Sequence, residues 1–111
     1  MARTWLEVAL NGPWGRALQP GIPMRVEDIV AEGIACAHEG AAIVHVHAYD
    51  EAAGRQKDDA DVYSRIIEGI RAKADCLVYP TLPFDGSGAM AAQARFAAVE
   101  TLAGAGCSRW R

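Results

Sequence analysis

No stretch of this chain approaches the roughly 20 consecutive apolar residues needed to span a bilayer. The first residues, Met-Ala-Arg-Thr-Trp-Leu-Glu-Val, lack a signal-peptide pattern, because Glu7 interrupts the apolar run. Cysteine is sparse and odd in number. Cys36, Cys76 and Cys107 form no Cys-x-x-Cys pair, which excludes a disulfide framework and a thiolate zinc site. Cys36 and Cys76 lie in apolar surroundings and read as small core residues. A reducing cytoplasm is the expected compartment. Basic clusters are also missing, apart from Arg109 and Arg111, and the net charge is −3. Nothing in that balance draws the chain to nucleic acid or to an anionic membrane. The first loop also has no Gly-x-Gly-x-x-Gly, and Pro20 and Pro23 separate its glycines from the helix start, which argues against the dinucleotide-binding version of an α/β fold.

What is present is a soluble globular composition, with 111 residues, 51% of them hydrophobic and 23% charged. Residues 5–10 read as a strand, followed by a turn-rich loop, Asn-Gly-Pro-Trp-Gly at 11–15, that runs on past Pro20, Gly21 and Pro23. A helix is predicted over 26–38 from the spacing of Val26, Ile29, Val30, Ile34 and Ala37, with Glu27 and Asp28 suiting its dipole and Gly40 its stop. Residues 42–48 form a second strand, apolar and non-alternating, as expected of a parallel strand buried on both faces. A polar loop follows from Tyr49 to Asp59, with Gly54 as its turn residue. A second helix covers 60–73, with Tyr63, Ile66, Ile67 and Ile70 on one face and Asp59 or Asp61 as its cap. Residues 75–80 are a third strand, and a helix over 89–103 carries Phe96, Val99 and Leu102 as its buried stripe. Cys107 to Trp110 could begin a fourth strand. The order βαβαβα requires a parallel sheet, either open and doubly wound or part of a (β/α)₈ barrel.

The sharpest motif is Ala-Ala-Ile-Val-His-Val-His at 41–47. Side chains two apart on a strand share a face, so His45 and His47 project side by side. Two imidazoles at the carboxyl end of a strand are half of a divalent-metal site; the alternative is a hydrogen-bonded histidine pair at a strand end. Both possible folds place ligands at the carboxyl ends of strands, where Asn11, His45, His47 and Thr81 all fall. Glu7, Glu39 and Asp50 are the nearest candidates for a third ligand. Blander readings suit the rest: Trp5 and Trp110 as packing residues, His38 as a complement to its helix dipole, and 55–61 as a solvated loop and helix start.

Leu-Asn-Gly-Pro-Trp-Gly, then Pro-x-x-Pro, then the histidine strand, then Ile-Ile-Glu-Gly-Ile-Arg, in that order, resemble the β-keto acid cleavage enzymes. The resemblance runs through essentially the whole chain, and the histidine pair is its most specific motif. It implies the N-terminal (β/α)₃ portion of a TIM (β/α)₈ barrel, parallel strands with outer helices, in an oligomeric enzyme. It implies Zn²⁺ or another divalent metal, with His45 and His47 as the metal ligands. The reaction it implies joins a β-keto acid and acetyl-CoA to give acetoacetate and a new acyl-CoA. Thr81 matches a hydroxyl residue near the substrate's carboxylate or ketone, and Asn11 and Trp14 complete the expected substrate contacts. Some members carry an acidic residue at the position of Trp14, where it binds a substrate amine; Trp14 either points to an apolar or aromatic-contacting tail or is a loop aromatic that covers the barrel rim. Tyr49 stands where many members have an arginine, and 81–88 lacks the early Gly-Gly of relatives.

A barrel of eight units needs about 250 residues, so residues 1–111 read as a single partial barrel domain, units 1–3 with the possible start of strand four. The catalytic groups and the third ligand are then expected on later strands. Three accounts stay open. The chain is a truncated or incomplete enzyme, inactive alone; or a small α/β metal- or ligand-binding module stabilised by self-association; or a non-catalytic half-barrel that pairs with another chain.

Overall fold

A computed structural model describes residues 3–83 and 92–105. Three strands, β1 (Glu7–Ala9), β2 (Ile43–Val46) and β5 (Leu77–Pro80), form one parallel sheet in the order β1-β2-β5. The register sets Ala9 beside His45 and His45 beside Tyr79. Helices α1 (Val26–His38) and α2 (Ala60–Arg71) connect the strands, and α3 (Ala92–Gly104) follows β5. The α/β alternation is therefore as expected, and the sheet and its helices are consistent with part of a (β/α)₈ barrel. Among the described residues, no helix is long and apolar enough to cross a membrane. The possible fourth strand at Cys107 to Trp110, Trp110 itself and most of the 81–88 loop lie outside the described residues.

Each helix forms where its apolar spacing and end signals agree. The α2 stripe of Tyr63, Ile66, Ile67 and Ile70 is fully buried. Its start is set by Asp59, whose carboxylate accepts from the backbone N–H groups of Asp61 and Val62. That stripe meets Ile29 of α1 and Val44, Val46 and Val78 of the sheet in the main core. The α1–α2 contact is close because glycines face large side chains. A Cβ on Gly33 would lie 2.5 Å from Ile70 Cδ1, and one on Gly69 would lie 2.8 Å from Val30 Cγ2.

Four expectations need correction. The histidine strand is not buried on both faces: Val44 and Val46 are buried against the helices, while Ile43 and His45, on the other face, are only partly covered. The described residues include no second layer on that side, so the strand alternates after all. The 49–59 segment is not a plain loop. It holds a short antiparallel ribbon of β3 (Tyr49–Asp50) and β4 (Arg55–Gln56), which turns through Gly54 at φ +65°. In α3 only Leu102 is buried, and Phe96 is 43% exposed, because α3 meets α2 along a narrower seam than its apolar content suggested. Trp5 is 69% exposed rather than packed.

Candidate functional site

The carboxyl ends of β1 and β2 are joined by one side chain. Asn11, buried just after β1, donates through Nδ2 to the His47 carbonyl at 2.9 Å, and its Oδ1 accepts from the His47 N–H at 2.9 Å. The amide thus pairs with both backbone groups of His47, as a neighbouring strand would. Its second hydrogen goes to the Pro23 carbonyl at 3.1 Å, which ties down the end of the first loop. On the other side of β2, the Thr81 N–H donates to the Val46 carbonyl at 3.0 Å. Asn11, His45, His47 and Thr81 therefore gather at one edge, as the sequence suggested.

His45 and His47 stand edge to face with ring centroids 5.0 Å apart. His45 also lies against the Tyr79 ring, centroid to centroid 4.5 Å. Its Nδ1 is buried without a hydrogen-bond partner among the described residues. Burial, and then the neighbouring His47, lower the His45 pKa; Glu7 and the nearby Tyr79 backbone oppose that more weakly. A neutral imidazole with an unpartnered, buried nitrogen is the form that binds a metal ion. Tyr79 donates its hydroxyl to Glu7, and that hydrogen bond, followed by burial, raises its pKa.

His47 is held differently. Its Nδ1 is 3.0 Å from Gln56 Oε1. Gln56 Nε2 donates to the Asp58 carboxylate at 3.1 and 3.3 Å, and Tyr63 donates its hydroxyl to Asp58 Oδ1 at 2.9 Å. Burial raises the Tyr63 pKa strongly, which keeps its hydroxyl a donor. The chain of contacts starts in the core, since Tyr63 is fully buried. Residues 55–61 are thus not simply solvated, and sequence reasoning missed Gln56 and Asp58. They reach the site because the ribbon pairs Gln56 opposite Tyr49, close to His47. The only local signal was Gly54, a turn residue between two short segments of strand type.

Tyr49 holds the first loop in place. It is buried with Ile22 and Met24 in a second small core. Its hydroxyl donates to the Gly12 carbonyl at 2.5 Å and accepts from the Gly15 N–H at 3.2 Å. The first loop is clamped across 12–15, and Trp14 is left 65% exposed on it. Among the described residues Trp14 makes no ring contact with either histidine. His38 places its Nε2 3.1 Å from the Lys73 carbonyl, a link between the ends of α1 and α2.

None of the three carboxylates named as nearest candidates completes a metal-holding group with the histidines among the described residues. Asp50 accepts from the Ala53 N–H within the ribbon turn, Glu39 is exposed beyond α1, and Glu7 is held by Tyr79. Among the described residues, no group of three or more His, Cys, Asp or Glu is placed to hold a metal. The two imidazoles are donors of a kind that could hold a divalent ion, and the described residues bring no third such group beside them.

The chain matches the beta-keto acid cleavage enzyme family over residues 3–109. It is 32% identical over 62 residues to the 3,5-dioxohexanoate:acetyl-CoA acetone transferase of Paraburkholderia graminis. The aligned region covers 56% of this chain and 20% of that relative, so the match spans a fifth of the relative's length.

Proposed function

We propose that this chain, which belongs to the beta-keto acid cleavage enzyme family, supplies two ligands of a divalent-metal centre at which a β-keto acid is cleaved with acetyl-CoA. In this reading residues 1–111 are one part of a (β/α)₈ barrel, and the remaining ligand and the acid–base groups come from outside the described residues. The observation that carries it is the pair of imidazoles at one strand end, one with an unpartnered buried nitrogen and the other held through Nδ1.

A divalent ion such as Zn²⁺, when bound, would supply Lewis-acid chemistry toward the ketone and carboxylate of the acid. His45 and His47 would hold it, and Asn11 sets His47 in place through the backbone. Thr81, at the carboxyl end of β5, offers a hydroxyl to the substrate's carboxylate or ketone. Trp14, on the clamped rim loop, contacts the tail of the acid and favours an apolar one. The relative's name includes acetyl-CoA as a reactant, which supports the same co-substrate here.

The test is metal uptake and turnover together. The complete barrel that this reading calls for is assayed for zinc by mass spectrometry, and for acetoacetate formed from acetyl-CoA and a set of β-keto acids. Zinc retained by wild type and lost in both His45→Ala and His47→Ala is the expected result. Stoichiometric zinc in either variant would overturn the assignment. Trp14→Glu should shift preference toward amine-bearing acids; an unchanged profile removes Trp14 from the substrate site.

A further inference from the structure

We propose that Gln56, Asp58 and Tyr63 are positioning residues that lock His47 in its Nδ1–H tautomer, so that Nε2 is the nitrogen presented to a ligand. The metal role of that nitrogen rests on the reading above; the tautomer does not.

The logic runs outward from the core. A carboxylate only accepts hydrogen bonds. Asp58 therefore takes hydrogens from both of its neighbours, the Tyr63 hydroxyl at 2.9 Å and Gln56 Nε2 at 3.1 Å. This settles which way the Gln56 amide points, a choice that the shape of an amide leaves open. With its NH₂ committed to Asp58, Gln56 turns its oxygen to His47, 3.0 Å from Nδ1. An amide oxygen cannot donate, so Nδ1 carries the proton. In a neutral ring the lone pair is then on Nε2. Metal-binding histidines are commonly fixed by such a partner on the second nitrogen, and its loss costs about 10–100-fold in affinity.

The three residues come from separate pieces of the fold. Gln56 is on β4, Asp58 lies between the ribbon and α2, and Tyr63 is the fully buried anchor on the first turns of α2. The ribbon, which sequence periodicity does not reveal, thus carries an amide from the helix to the histidine. His45 has no such support among the described residues, since its Nδ1 is unpartnered there. The two imidazoles are therefore prepared differently, one oriented through a chain of hydrogen bonds and the other by packing against Tyr79.

The experiment is a two-bond proton–nitrogen correlation spectrum of the metal-free chain labelled with ¹⁵N-histidine, recorded at mildly alkaline pH so that it reports on neutral rings. Wild type should show His47 as the Nδ1–H form. Gln56→Leu should move it toward the Nε2–H form and weaken zinc binding, measured by chelator competition, by about 10–100-fold. The double variant Gln56→Glu with Asp58→Asn exchanges carboxylate and amide but keeps an oxygen facing Nδ1. It should restore the Nδ1–H form and bring zinc affinity back to within a few-fold of wild type. His47 as Nε2–H in wild type overturns the proposal without any variant. An unchanged tautomer in a folded Gln56→Leu chain overturns it too. A complete barrel whose His47 shows the Nδ1–H form but which takes up no zinc overturns the metal reading and leaves the tautomer assignment standing.

Discussion

On the helix side of the sheet, Val44, Val46 and Val78 are buried against Ile29, Ile66, Ile67 and Ile70. On the other side, the same strands present Glu7, Ile43, His45, Leu77 and Tyr79, with Leu77 42% and Tyr79 38% exposed. One sheet thus has a face made almost wholly of branched aliphatic residues and a face that mixes apolar with titratable ones. The first stabilises the fold. The second holds a hydroxyl–carboxylate pair, an imidazole tilted against a tyrosine ring with one nitrogen buried, and uncovered apolar area. Parallel sheets are normally covered on both faces, and a face of this composition suits the interior of a barrel. The difference separates stability from chemistry by a single residue of strand alternation: Val44 and Val46 belong to one side and His45 to the other.

Substitutions should break that division unequally. Ile70→Ala removes a fully buried side chain from the helix face and should cost about 2–5 kcal/mol of unfolding free energy in denaturant melts. A loss under about 1 kcal/mol would mean that α1 and α2 are loosely packed. Gly33→Ala forces a methyl group onto Ile70 and should cost about 1–3 kcal/mol. Asn11→Ala strands the buried N–H and C=O of His47 and should cost about 1–3 kcal/mol, with faster amide exchange at His47. If the variant keeps wild-type stability, the clasp is dispensable. Tyr49→Phe keeps the ring packed on Ile22 and Met24 but frees Gly12 and Gly15, so it should cost about 1 kcal/mol and raise exchange at Gly15. His45→Ala, on the open face, should change stability by under about 1 kcal/mol in either direction while abolishing metal uptake. Phe96→Ala should cost under about 1 kcal/mol, because 43% of the residue is exposed to water already.

Much of the frame was legible from the residues. Helix α1 spans the expected 26–38, because apolar spacing, acidic first turn and Gly40 all agree. The α2 stripe was named residue for residue, and Asp59 proved to be its cap. Pattern misled where it had no partner to test it. The apolar run 42–48 looked two-sided because Ala, Ile and Val suit any buried surface, yet the covering layer lies on one side among the described residues. Phe96 shares helical spacing with Leu102, but of the two only the latter is buried in the core. In the site, the His45–His47 pairing followed from strand alternation alone. The roles of Tyr49, Gln56 and Asp58 did not, since each depends on a partner on another element or on the exact path of a turn.

By itself the sequence determined the α/β order, the helix-facing core and the adjacency of the two histidines, because each of these follows from local periods of 2 and 3.6 residues. Only the tertiary structure decided that Asn11 clasps His47 from 36 positions away, that Tyr49 clamps Gly12 from 37 away, and that Tyr63 reaches His47 through Asp58 and Gln56. Those contacts form when β1 docks beside β2 and the ribbon folds back toward the strand end. Hydrogen bonds of this kind are set by the three-dimensional meeting of side chains, and no periodicity along the chain encodes them.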